Sequence, residues 1–217
     1  MTIRAAIFDL DGVLIDTEYL AFKAWQKTLH GWNHELEDAD FPAMMGLDAN
    51  QTVNYIHQRT AIPMGDAVLL AEHDRLMLSV LDGELQPLPG ASDLIADLVK
   101  RGLPLAIASN STQEYIDRAL KCLHLDHFFN VIASRDAVRA GKPAPDVYQA
   151  AAARLGIPPA QCLAFEDSRV GVRSAVSADT RCVAIPGPIA SAADFSTAFA
   201  MYSSIPAAHA DLDRLLA

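Results

Sequence analysis

The chain has 217 residues, 51 % of them apolar and 20 % charged, which is enough apolar material for one large domain or for a core carrying a smaller inserted one. Its formal charge of −10 opposes binding to nucleic acid or to an anionic membrane, and it requires any phosphate site to be locally cationic. No apolar run reaches the roughly 18 residues that a membrane-spanning helix needs.

Arg4 to Asp9 is an apolar run that stops at an acid, and it predicts a buried parallel strand opening into a loop. Met1 to Phe8 is too short and too soon followed by acids for a secretory signal, so the expected location is the cytoplasm. At the end of this strand, Phe8 to Gly12 (FDLDG) sets two aspartates two residues apart. A carboxylate such as Asp9 can attack phosphorus, and Asp11 can exchange a proton with the oxygen that leaves or attacks. Two close anions also invite magnesium. The plainer alternative is an acidic turn in which Gly12 supplies a positive φ.

From about Thr17 to Glu84 the character of the chain changes. Leu20, Phe22, Trp25 and Leu29 fall near helical spacing, Ala49–Arg59 and Gly65–Leu81 also read as helices, and no strand pattern occurs. The expected organisation is a helical insert over 17–85, with a core built from 1–16 and 86–217. Such an insert is either a lid hinged near Asp16 and Leu85 or a bundle packed rigidly on the sheet. Pro87, Pro89 and Gly90 mark the return to the core.

Beyond that point apolar runs alternate with amphipathic ones. Leu103–Ser109, Asn130–Ser134, Cys162–Glu166 and Arg181–Ile185 predict strands, and Met201–Ile205 predicts an edge strand. Gly90–Arg101, Thr112–Leu123, Pro145–Leu155 and Arg169–Ala178 predict helices. The fold class expected is α/β, a three-layer Rossmann-like parallel sheet core with the helical insert.

Three more strand ends carry candidate chemistry. The hydroxyl of Ser109 and the backbone N–H of Asn110, placed at a helix start, can bind phosphate oxygens; alternatively Ser109, Asn110 or Ser111 simply caps that helix. Lys142, in the rigid GKPAPD loop, can offset carboxylates and attract phosphate, or it is a solvated turn lysine. Glu166 and Asp167 form a second acidic pair that can complete a magnesium site with Asp9, or they are acids at a helix N-terminus. Cys122, Cys162 and Cys182 fit neither a zinc pattern nor a CxxC pair and read as buried free thiols.

The order of these motifs, from Ile7 to about Pro186, resembles the haloacid dehalogenase superfamily of phosphatases and phosphomutases. The resemblance implies that residues 17–85 are that family's helical cap, and that Asp9 is nucleophile and magnesium ligand. Asp11 is then acid/base and, through its carbonyl, a further ligand. Ser109 and Lys142 hold the transferring phosphoryl group, Asp167 binds the metal and Glu166 assists directly or through water. Dehalogenases and phosphonate-cleaving members lack the second aspartate of the first motif, so Asp11 disfavours both. GKPAPD, the EDS of Glu166–Ser168 and the Ala24–Trp25 pair also look like β-phosphoglucomutase. That mutase has a cap histidine where this chain has Ala21, and a cap arginine after a glycine resembling Gly46, where Leu47, Asp48, Ala49 and Asn50 offer no cation. Where the family often has a glycine near the fifth strand stands Asp179, which tolerates a left-handed backbone better than most residues.

The expected function is magnesium-dependent hydrolysis of a small phosphorylated metabolite, a sugar phosphate, through an aspartyl-phosphate on Asp9. The alternatives are a β-phosphoglucomutase-type phosphosugar mutase and a non-enzymatic phosphoacceptor or binding protein. Nucleic-acid and membrane partners are not expected, and a monomer is the default. Met44, Met45, Gly46, Asp48, Asn50 and Gln51 are candidate cap specificity residues.

Overall fold

The computed structural model describes residues 2–45, 47, 49–187 and 195–217, with the side chains of residues 82–84 excluded. Its strands are β1 (Ala5–Phe8), β2 (Leu105–Ala108), β3 (Phe129–Ala133), β4 (Cys162–Glu166), β5 (Arg181–Ala184) and β6 (Ala200–Met201). Its helices are α1 (Glu18–His30), α2 (Phe41–Met44), α3 (Ala49–Thr60), α4 (Asp66–Glu84), α5 (Ala91–Lys100), α6 (Gln113–Cys122), α7 (Asp146–Leu155), α8 (Arg169–Ser177), α9 (Ile205–Ala210) and α10 (Leu212–Leu216). The chain forms two compact units, Met1–Asp16 with Gln86–Ala217, and Thr17–Leu85.

The first unit is built on a parallel sheet in the order β3-β2-β1-β4-β5-β6. β1, β2 and β4 are buried along their whole length, which is why they read as continuous apolar runs rather than alternating ones. Ala5, Ile7, Ala106, Ala108 and Ala164 share one core cluster with Val147, Tyr148 and Ala151 of α7 and Val172 and Ala175 of α8. The small strand residues let these helices lie close to the sheet. α5 and α6 bury Leu94, Ile95 and Leu98, and Ile116 and Leu120, respectively. Phe8 stacks on Phe165 at 4.8 Å between ring centroids and meets the edge of Phe129 at 5.9 Å.

The register aligns the strand ends. Phe8 pairs with both Ile107 and Phe165, and the N–H of Asp9 donates to the Phe165 carbonyl at 3.0 Å. Asp9 and Glu166 therefore leave the sheet at one level, with Ser109 one residue further along its strand. Just beyond, the chain runs toward the helical unit and comes back alongside itself. The Leu88 N–H donates to the Leu14 carbonyl at 2.8 Å, and Ile15 bridges Pro87 in antiparallel fashion.

In the second unit every described element is helical. Phe22, Trp25 and Leu29 of α1 meet Val53 and Ile56 of α3 and Leu69 of α4 in one cluster. The Trp25 ring stacks on His73 of α4 at 4.2 Å. Buried Asp40 accepts hydrogen bonds from Tyr55 Oη at 2.8 Å and Arg59 Nε at 2.9 Å. Burial acts to raise its pKa, but these bonds outweigh burial and hold the carboxyl below its ordinary value. Met44, Met45 and Leu47 line a cavity of about 110 Å³ with Glu18, Ala21, Phe22 and Trp25. Asn50 and Gln51 are exposed on α3, while Gly46 and Asp48 lie outside the described residues.

Several expectations need correction. The edge strand ends at Met201, and Ser204 caps α9 by accepting from the Ala207 N–H at 3.3 Å; Pro206, with no N–H to give, sits in the first turn of that helix. Cys122 is exposed at the end of α6 and only Cys162 and Cys182 are buried. Asp179 does take the left-handed backbone, with φ 65°.

Candidate active site

Lys142 occupies the centre of the site. Its Nζ lies 2.8 Å from Asp9 Oδ1 and 2.6 Å from Glu166 Oε1. All three residues are buried. The lysine is thus a structural partner of two acids rather than a solvated turn residue. Its loop is pinned by Asn110, whose Oδ1 accepts from the Lys142 N–H at 2.7 Å and whose Nδ2 donates to the Lys142 carbonyl at 3.2 Å. A Cβ at Gly141 would collide with that Asn110 amide, so the glycine is needed for the clasp.

Glu166 is fully buried and its carboxylate is the most heavily bonded in the site. Oε1 also accepts from Tyr148 Oη at 2.7 Å, and Oε2 accepts from Ser168 Oγ at 3.2 Å. Ser168 at the same time caps α8 by accepting from the Gly171 N–H at 3.1 Å. Glu166 therefore orders the loop that carries Asp167. Carboxylate oxygens of Asp9, Glu166 and Asp167 lie within 4.8 Å of one another, close enough to share a cation.

The three acids shift one another's electrostatics. Burial and the nearby Glu166 push Asp9 up to about 7, against the pull of Lys142. Burial, Asp9 and Glu166 push Asp167 up to about 9. Lys142 moves the other way: burial lowers it, but Asp9 and Glu166 more than offset this and hold it above its ordinary value. The carboxylates crowd one another, and a divalent cation would relieve the repulsion. Hard oxygen donors of this kind suit magnesium better than zinc or copper. The residues present fit such an ion.

Asp11 is not one of the three clustered carboxylates, though its charge helps to raise Asp9 and Asp167. Its Oδ1 accepts from Tyr115 Oη at 2.8 Å and its Oδ2 from Ser111 Oγ at 3.0 Å. Gly12 has φ 78°, the conformation expected of it, and a Cβ there would fall on the Asp167 carboxylate. Ser109 is buried, and its Oγ accepts from the Ser111 N–H at 3.0 Å. The next helix does not begin at Asn110: α6 starts at Gln113, and Thr112 caps it by accepting from the Tyr115 N–H at 3.4 Å. Neither Ser109, Asn110 nor Ser111 is the cap, so these three are left to bind other groups.

The structure brings Asp9, Lys142, Glu166 and Asp167 together, and sets Ser109 and Asp11 on the same end of the sheet. It adds Tyr148, Ser168, Ser111 and Tyr115, none of which carries a sequence signal for its partner. Tyr115 and Asp11 are 104 residues apart.

Comparison with known proteins places the chain in a family. Residues 6–185 match the family described as haloacid dehalogenase-like hydrolase. The chain is 34 % identical to Protein CbbY of Rhodobacter capsulatus, over 91 % of this chain and 92 % of that one. It is 32 % identical to fructose-1-phosphate phosphatase YqaB of Escherichia coli (strain K12), over 79 % of this chain and 90 % of that one. Its fold superposes on the crystal structure of CbbY from Rhodobacter sphaeroides in complex with phosphate with a TM-score of 0.80 at 27 % identity, covering 95 % of this chain and 96 % of that chain. With its sheet order, its acidic strand ends and a match spanning most of its length, the chain belongs to the haloacid dehalogenase-like hydrolases.

Proposed function

We propose that the chain is a magnesium-dependent phosphatase that hydrolyses small phosphomonoesters, sugar phosphates in particular, through an aspartyl-phosphate on Asp9. The observation that carries this reading is the placement of Asp9. It is a buried carboxylate held 2.8 Å from an ammonium, within reach of two further acids, at the end of the central strand. The relative named as a fructose-1-phosphate phosphatase and the CbbY complex with phosphate support the substrate class.

Asp9, Asp167 and Glu166, with the carbonyl of Asp11, would hold the magnesium ion. Bound there, the ion supplies positive charge to the oxygens of the transferring phosphoryl group. Lys142 supplies a second charge from the protein side, and Asn110 fixes that lysine. Ser109 accepts from Ser111 and so can give its own hydroxyl hydrogen to a phosphate oxygen. Asp9 forms a bond to phosphorus as the ester bond breaks, and the departing oxygen takes a proton from Asp11. Asp11, now a carboxylate, removes a proton from water; the water oxygen bonds to phosphorus and Asp9 departs as a carboxylate. In this reading residues 1–16 and 86–217 are the catalytic core and 17–85 the cap that selects the substrate.

Asp9→Asn is expected to abolish phosphate release while leaving the circular dichroism spectrum and cooperative unfolding unchanged, and chelation of magnesium is expected to silence the wild type. Wild-type turnover by Asp9→Asn would remove the nucleophile. A panel of sugar phosphates, β-glucose 1-phosphate among them, separates hydrolysis from isomerisation. Inorganic phosphate is the expected product; an isomeric sugar phosphate without phosphate release would replace the phosphatase reading with the mutase one.

A further inference from the structure

We propose that Tyr115 is a positioning residue for the acid/base Asp11. Together with Ser111 it holds the carboxyl group in place. The inference rests on the acid/base role proposed for Asp11.

The two aspartates of the first motif are held by different chemistry. Asp9 faces Lys142, a donor that cannot accept, which suits a carboxylate that must attack as an anion. Both oxygens of Asp11 meet hydroxyls, Tyr115 Oη at 2.8 Å on Oδ1 and Ser111 Oγ at 3.0 Å on Oδ2. Two donors on two different oxygens fix both the position and the rotation of the carboxyl group. The proposed acid/base step needs that, because the same group has to meet the leaving oxygen first and the attacking water later.

The delivery of Tyr115 is also built in. It is buried in the first turn of α6, and its N–H donates to the cap residue Thr112. The preceding turn is held in addition by the Gln113 N–H, which donates to both oxygens of Asp136 at 3.3 Å. The phenol is therefore anchored at both ends, by the helix cap at its main chain and by Asp11 at its hydroxyl. A buried tyrosine satisfied by a nearby acid would need only one such bond; here Ser111 on the opposite oxygen leaves the carboxyl group two fixed points.

The test is Tyr115→Phe, which removes one hydroxyl and keeps the ring. With a sugar phosphate and saturating magnesium, kcat is expected to fall about tenfold, the loss of one hydrogen bond. KM and the rise in Tm on adding magnesium are expected to stay at wild-type values. With p-nitrophenyl phosphate the leaving group needs no proton, so the first-turnover burst of phenolate is expected to keep its wild-type rate. Ser111→Ala is expected to behave in the same direction, and the double variant to lose more than either. Equal slowing of the burst and of sugar-phosphate turnover, or a wild-type kcat on the sugar phosphate, would overturn the positioning role. Asp11→Asn is run beside these. If it is inactive on the sugar phosphate while Tyr115→Phe is unaffected, only the role of Tyr115 falls; if Asp11→Asn itself turns over normally, the acid/base assignment falls with it.

Discussion

Gly171 shows how little room the acids of this site have. A Cβ at that position would overlap the Glu166 carboxylate. A side-chain end can often swing away, but Glu166 is tied to Lys142, Tyr148 and Ser168, and moving it breaks those bonds. Gly171→Ala is therefore expected to cost about 1–3 kcal/mol, as overpacking does, and to weaken magnesium binding more than its small size suggests. A thermal melt with and without magnesium checks this; unchanged Tm and unchanged affinity would show that Glu166 is not constrained. Residues proposed to act by their own chemistry were legible in the sequence, because an aspartate pair, or a lysine between a glycine and a proline, is visible in one dimension. Residues that act by touching them were not. Tyr148 reads as one more apolar-face residue of α7, and nothing in FEDSRVG announces that Gly171 makes space for Glu166.

At the scale of elements, the parallel strands do the gathering. Continuous apolar runs that stop at a polar residue are what buried parallel strands look like, so β1, β2, β4 and β5 could be read to within two residues of their ends. α2, α9 and α10 could not, since each is six residues or fewer and shows less than two turns of periodicity. The cap of α6 fell on Thr112 rather than on the serines before it, because those serines are occupied at the strand end. Bringing several strand ends to one level concentrates negative charge, and this has a pH consequence. Asp9 and Asp167 rise from 3.8 to about 7 and about 9 in the metal-free protein. Between about pH 4 and those values the folded state keeps protons that the unfolded chain has released, so metal-free stability falls as pH rises through that window. A cation held by these carboxylates would replace those protons, with less competition at higher pH. The rise in Tm caused by magnesium is expected to be larger near pH 8 than near pH 6. A rise of equal size at both would mean that these carboxyls are already ionised without the metal.

At the scale of the whole molecule, the core cluster that holds Ile7, Ala164 and Tyr148 of the first unit shares no residue with the cluster that holds Trp25, Ile56 and Leu69 of the second. The helical character of the second unit was legible from the spacing of Leu20, Phe22, Trp25 and Leu29. The pairing of Leu14 and Ile15 with Pro87 and Leu88 was not, since short segments in extended conformation leave no periodic trace. That pairing can be tested directly. A chain in which Thr17–Leu85 is replaced by a link of about four Gly/Ser residues is expected to keep cooperative unfolding and the magnesium-induced rise in Tm, and to lose sugar-phosphate turnover. Loss of the sheet signal in circular dichroism would show that the first unit depends on the second to fold.

The outgoing and returning segments meet on one rung, held by the Leu88–Leu14 hydrogen bond and the Ile15–Pro87 bridge. A segment spliced in at that rung enters and leaves the first unit at one place, beyond the paired residues of β1, β2 and β4. On the proposed reading, in which residues 17–85 select the substrate, inheritance can rewrite which molecule is recognised without altering the residues proposed to remove its phosphate. Recognition and reaction then become separate heritable traits, and a new substrate is reached by changing the inserted segment alone.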